Sequence, residues 1–333
     1  MQEKTYRSVI NRLGVAMLVL FGGIALYRTV ATEILPLLVS GLSAVAANVV
    51  AELVLAVLYA LVFLAPVFVF YGISKRKPHR SFDAALCLPQ GTLLYLFVAL
   101  GIIGAAAHLN SYVIQLFDAV SLLGGDTATE PVATAPREAY QIVLAFISTA
   151  IVPAFVEEAL FRGVVLRNLQ PFGRTTAVFI SALLFGIMHQ NAAQLFYATV
   201  AGLVIGYIYA YTQSLWCCVL IHFCNNALSV FSSVFQEQLS YHRAVLADSL
   251  IYLVLGILGV LAALILLHKH RDTREDVLQN GCFERDAAPD AEYAPLALPM
   301  ARRVRIFMTP PMVVFLALCA VQVLYMLGMA VLY

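Results

Sequence analysis

The sequence predicts an all-α protein, a polytopic transmembrane helical bundle of about eight to nine spans. Two observations carry that expectation. Of the 333 residues, 62% are hydrophobic and 12% charged, whereas soluble domains run near 45–50% and about 25%. The apolar residues also gather into stretches of about 20, the length a spanning helix needs. Mean hydropathy is +0.88.

In chain order the candidate spans are residues 12–31, 50–73, 92–116, 138–157, 176–190, 194–212, 215–235, 248–267 and 312–332. The first follows a basic start, like a signal peptide. Arg28 and the apolar run after it argue against cleavage, so it is read as a first helix. The stretch 36–49 is apolar and rich in small residues; Pro36 marks its start, and it either extends the second span or lies re-entrant.

Lys and Arg orient these spans. Lys4, Arg7 and Arg12 precede the first, and Lys75, Arg76, Lys77 and Arg80 follow the second. Arg162, Arg167 and Arg174 lie between the fourth and fifth. Lys269, Arg271 and Arg274 open a polar loop that closes with Arg302, Arg303 and Arg305. All fall on one side if the N-terminus is cytoplasmic and every span crosses. The opposite loops, such as 118–137 with Asp118, Asp126 and Glu130, are poor in Lys and Arg. The expected organisation is one integral membrane domain over 1–333, with a cytoplasmic connector at 268–306 and no soluble domain.

No basic run interleaves with aromatics, so the lipid bilayer is an expected partner and nucleic acid is not. The six cysteines show no C-x-x-C spacing and are read as small apolar fillers, not disulfides or zinc ligands. His108, alone on an apolar helix, is read as a packing residue.

Three fragments concentrate polar chemistry within this apolar background: Glu157-Glu158-x-x-x-Arg162, Phe185-x-x-x-His189 and His222-x-x-x-Asn226. An ionisable residue at membrane depth is costly unless paired or facing water, which makes the cluster a candidate active site. Residues four apart share a helix face. Glu158 and Arg162 are so spaced for an ion pair, while Glu157, turned by about 100° on the helix, stays free as a base. Phe185 shields His189 one turn away. Asn226 can orient His222 or donate its amide to an oxyanion. At about 1.5 Å per residue, Glu157 lies roughly 15–18 Å from Asn168–Leu169 and His189 roughly 20 Å from Arg174. By the same rise His222 and Asn226 lie roughly 10–16 Å from Leu215, so the groups reach a common depth. Gly202 and Gly206 form a G-x-x-x-G suited to close helix approach. Asn225 and Cys224 lie off the His222–Asn226 face and are read as packing.

A carboxylate, two imidazoles and an amide suit water activation and oxyanion stabilisation, so amide hydrolysis fits. No Ser or Cys nucleophile stands beside a histidine, and the zinc-protease H-E-x-x-H is absent. Glu157, His189 and His222 remain candidate ligands for zinc in a non-standard site. The missing i, i+4 histidine pair tips the reading toward a metal-free glutamate mechanism.

The ordered trio of motifs resembles the CPBP family, the CAAX prenyl endopeptidases and bacteriocin-processing or immunity proteins also called Abi proteins. The resemblance covers residues 138–235, the expected catalytic core. It implies an all-helical intramembrane endopeptidase with a cytoplasm-facing cavity, of a family described both as glutamate-dependent and as metalloprotease. It implies Glu157 as the water-activating base, His189 as its assistant, and His222 and Asn226 as oxyanion stabilisers, with Glu158, Arg162 and Phe185 in support. The implied substrate is a peptide or membrane-protein segment, prenylated or not. Short loops and economical ends suggest a bacterial plasma membrane. Two other classes share these residues: a non-catalytic immunity or scaffold protein using the same cavity, and a proton-coupled transporter, for which inverted repeats are missing.

Overall fold

The computed structural model describes residues 2–74, 87–121, 138–190, 192–272 and 300–332, and every regular element among them is helical. Helix α1 (Gln2–Thr29) runs through a π segment (Val30–Ile34) into α2 (Leu35–Val39), followed by α3 (Ala44–Ser74) and α4 (Thr92–Ser121). A long composite helix comes next. It consists of α5 (Ala139–Ala145), a π segment (Phe146–Ile151), α6 (Val152–Leu160), another π segment (Phe161–Leu166), α7 (Arg167–Leu169) and a 3-10 turn (Gln170–Phe172). Then follow α8 (Arg174–Met188), α9 (Ala192–Thr212), α10 (Leu215–Gln238), α11 (Tyr241–Asp272), α12 (Met300–Phe307) and α13 (Pro310–Leu332).

Among the described residues seven helical stretches are long and apolar enough to cross a membrane, and Arg174–Met188 and Pro310–Gln322 are shorter apolar helices. Together these nine coincide in order with the candidate spans. Their outer faces carry large apolar side chains: Phe68 is 71% and Leu37 76% exposed. Side chains of that kind on an outward face suit contact with hydrocarbon. The chain is thus an all-α, multi-pass membrane bundle. Helix α1 packs between α3 and α13, and α4 packs against α9, α10 and α11. The composite helix lies at the centre, with α3, α8 and α10 around it.

Local chemistry sets the breaks. Gly173, at φ 141°, makes the sharp turn into α8 that a side chain would resist. Ser214 caps α10, its hydroxyl accepting from the Cys217 N–H at 3.1 Å. Glu138 and Gln141 close a capping box at the start of α5.

The structure corrects several expectations. Residues 35–39 continue the first span, not the second, and a turn at 40–43 separates them from α3, so 36–49 is neither one extension nor a re-entrant unit. The fourth span does not end at 157 but winds on to Phe172. Arg162 is therefore a buried helix residue and not a loop charge, because Glu158 neutralises it inside the bundle. The ends of the 268–306 connector are helical, to Asp272 and from Met300, and its centre lies outside the described residues. The same holds for Lys75 to Arg80, for Asp126 and Glu130, and for Cys282. Cys217, Cys218 and Cys319 are buried fillers as expected, whereas Cys87 is exposed. His108 is exposed too, with its ring beside Tyr112 and Tyr252 instead of inside a core.

Candidate active site

The π segments Phe146–Ile151 and Phe161–Leu166 of the composite helix frame α6, the short helix that carries both carboxylates. π segments are rare and gather at functional sites. Side chains from neighbouring turns and helices serve the carbonyls of both. Asn226 Nδ2 donates to Thr149 O at 2.9 Å, Ser181 Oγ to Phe161 O at 3.0 Å and Asn168 Nδ2 to Val164 O at 2.7 Å. Tyr71 Oη reaches Gly163 O at 3.4 Å. The widened winding is thus held by hydrogen bonds that an unbroken α-helix would not need.

Glu158 is fully buried and sits between two partners. Its Oε1 accepts from Arg162 Nη1 at 2.8 Å, the i, i+4 pair expected from the spacing. The same oxygen lies 2.7 Å from Nδ1 of His222. Arg162 goes on to Gly202 O through Nη2, at 3.2 Å, and its guanidinium lies 5.0 Å above the Phe185 ring. Gly202 also lets α9 approach α8 closely: a Cβ there would stand 3.0 Å from Ala182 Cα. Gly206 faces ordinary contact distances, so only the first glycine of the G-x-x-x-G is tight.

Phe185 is the hub of the aromatic contacts. Its ring centroid lies 5.2 Å from that of His189 and 5.9 Å from that of His222, both edge-on. Nδ1 of His189 lies 2.9 Å from Phe185 O. A carbonyl oxygen only accepts, so Nδ1 carries the proton and Nε2 the lone pair. The carboxylate facing His222 likewise makes its Nδ1 the donor. In both rings Nε2 is the nitrogen left for chemistry.

The structure therefore gathers Glu158, Arg162, Phe185, His189 and His222 into one cluster. Glu157, 3% exposed, shares no hydrogen bond with that cluster, and its Oε1 faces α3. It is not free as expected: Tyr59 Oη donates to its Oε1 at 2.5 Å. Its Oε2 is buried and has no protein partner. Among the described residues no hydrogen bond joins Glu157 to His189. Asn226 also differs from expectation, since its amide already serves Thr149 O and accepts from Asn225 Nδ2 at 3.2 Å. Asn225 is more than packing, because its Oδ1 accepts from Tyr197 at 2.7 Å. Tyr59 escaped the sequence reading because one tyrosine among 16, in an apolar helix, carries no local signal.

Glu157, His189 and His222 were the candidate metal ligands. Among the described residues no three His, Cys, Asp or Glu side chains are grouped to hold a metal ion. In this arrangement the trio does not fit a three-ligand zinc site.

A family model described as type II CAAX prenyl endopeptidase Rce1-like matches residues 139–228. That stretch contains all seven motif residues, so the family resemblance holds over the helices that build the cluster. No curated protein and no solved structure matches the chain.

Proposed function

From the Rce1-like peptidase domain in residues 139–228, we propose that the chain is an intramembrane endopeptidase that hydrolyses a peptide bond with water activated by Glu157. The observation that carries this reading is the division of labour between adjacent carboxylates. Glu158 Oε1 is engaged by the Arg162 guanidinium and the His222 ring, whereas Glu157 Oε1 accepts only from the Tyr59 hydroxyl. Each keeps a buried Oε2 without a protein partner, but only Glu158 is tied to a cation. Two like groups in unlike surroundings take unlike roles.

In the proposed reaction, Glu157 Oε2 takes a proton from water while the oxygen attacks the scissile carbonyl carbon. His189 Nε2 accepts a second hydrogen bond from that water. The tetrahedral oxyanion is received by the second amide hydrogen of Asn226 and by His222 Nε2–H. Nε2 donates only in the imidazolium form, and in that form Glu157, Glu158, Arg162 and His222 sum to zero charge. The C–N bond then breaks, the proton on Glu157 passes to the leaving nitrogen, and an acid and an amine remain. No step passes through a metal.

The substrate class is a peptide or a membrane-protein segment, lipidated or not. In this reading the N-terminus and the arginine-rich helix ends face the cytoplasm across a bacterial plasma membrane, which the Lys and Arg bias supports. The test is cleavage of a peptide library in liposomes by wild type and Glu157→Gln. A positioned base contributes roughly 10²–10⁴ in rate, so a folded Glu157→Gln should lose turnover by that factor. Near-normal cleavage would remove Glu157 from the mechanism. Peptide binding by wild type without any cleavage would favour a scaffold.

A further inference from the structure

Glu157 has a single donor among the described residues, and it comes from outside the matched domain. Tyr59 lies near the middle of α3, well before residue 139, where the family match begins. Its ring is fixed on two sides. It stacks on Phe63, one turn along the same helix, with centroids 4.7 Å apart and planes inclined by 27°. The Tyr27 ring of α1 meets it edge-on at 5.7 Å. A tyrosine has two side-chain torsions, and both are constrained by these contacts. The hydroxyl is thereby delivered to Oε1 of Glu157, and Oε2 is left without a protein partner.

We propose that Tyr59 is a positioning residue for the hydrolysis, choosing which oxygen of Glu157 meets water and holding the carboxylate plane toward the substrate. The inference rests on the reading of Glu157 as the base. Its physical basis is geometric. A carboxylate bound at neither oxygen turns about its last torsion, which is broad and roughly two-fold, and presents either oxygen at many angles. A hydroxyl on Oε1 stops that rotation before substrate arrives, and a poorly oriented reacting group can lose about 10²-fold. Phe63 and Tyr27 act one step further out by keeping the phenol from swinging. Helices α1 and α3 thus complete a site whose motifs lie in α6 and the π segment after it, at the end of α8 and in α10.

The test compares Tyr59→Phe and Tyr59→Leu in liposomes, alone and combined with Glu157→Asp, which draws the carboxylate back from the hydroxyl. Tyr59→Phe keeps the ring packing. Its kcat is expected to fall about tenfold to a hundredfold, with KM and melting temperature near those of wild type. Tyr59→Leu should fall at least as far and lose thermal stability as well. In the Glu157→Asp background, Tyr59→Phe should add little further loss, because the two residues act as a unit. Wild-type kcat in Tyr59→Phe, with Glu157→Gln inactive, would overturn this inference and leave the proposed function standing. An undiminished effect in the Glu157→Asp background would also overturn it, since Tyr59 would then act through another group. Full activity in Glu157→Gln would overturn both.

Discussion

Glu158 and His222, 64 positions apart, meet at 2.7 Å through Oε1 and Nδ1, and the same oxygen holds Arg162. One carboxylate thereby ties α6, the π segment after it and α10 together. The Arg162 bond to Gly202 O extends the tie to α9.

Removing Arg162 should be severe. Arg162→Ala would leave Glu158 buried with a single partner, and breaking a buried pair from one side costs about 3–5 kcal/mol. A fall in melting temperature together with lost activity is expected. Arg162→Ala that purified with an unchanged melting temperature would show that the pair does not hold the fold.

Asn226 donates to Thr149 O and is proposed to receive the oxyanion, and two readouts on one substitution separate these roles. In Asn226→Ala, kcat should fall more than KM rises, because an oxyanion donor acts mainly in the transition state. Thr149 O would lose its partner as well, so amide exchange across Phe146–Ile151 should quicken. Exchange mass spectrometry in nanodiscs reads the second effect, and unchanged exchange would show that the Thr149 bond does not hold the π segment.

The glycines rank by space. A Cβ on Gly186 would lie 2.0 Å from Thr199 Oγ1 and 2.9 Å from Leu195 O, and the second of these is backbone. Gly186→Ala should cost about 1–3 kcal/mol. A Cβ on Gly206 would meet Val178 Cγ1 at 3.4 Å, so Gly206→Ala should be nearly neutral. Thermal denaturation of the two variants side by side checks the order.

Metal dependence gives a fourth test. Glu157 and the two histidines are not grouped as ligands, so purified protein should hold well under one equivalent of zinc and stay active after exhaustive dialysis against chelator. Zinc lost together with activity, and activity regained on adding it back, would recast His189 and His222 as ligands.

The spans and the polar trio were legible because a carboxylate or imidazole in an apolar run is expensive and therefore conspicuous. The Glu158–Arg162 pair followed from i, i+4 spacing alone. What stayed hidden was tertiary. Nothing near position 158 points to His222, and nothing near Tyr59 distinguishes its hydroxyl from the others. The end of the fourth span was misplaced for a related reason: Arg162 looks like a loop charge until its partner shows it to be internal. The π segments have no residue signature at all.

Those segments have a geometric consequence. Successive residues of an α-helix are separated by about 100° around its axis, which is also the step from Glu157 to Glu158. Wound as plain α-helix, Phe146–Ile151 would turn everything after it by one such step relative to α5. The neighbour presented to Tyr59 would change with it. On the proposed mechanism, which glutamate serves as base and which as anchor is therefore decided by the winding several residues upstream. An insertion or deletion there, leaving every motif letter intact, would exchange or scramble the two roles.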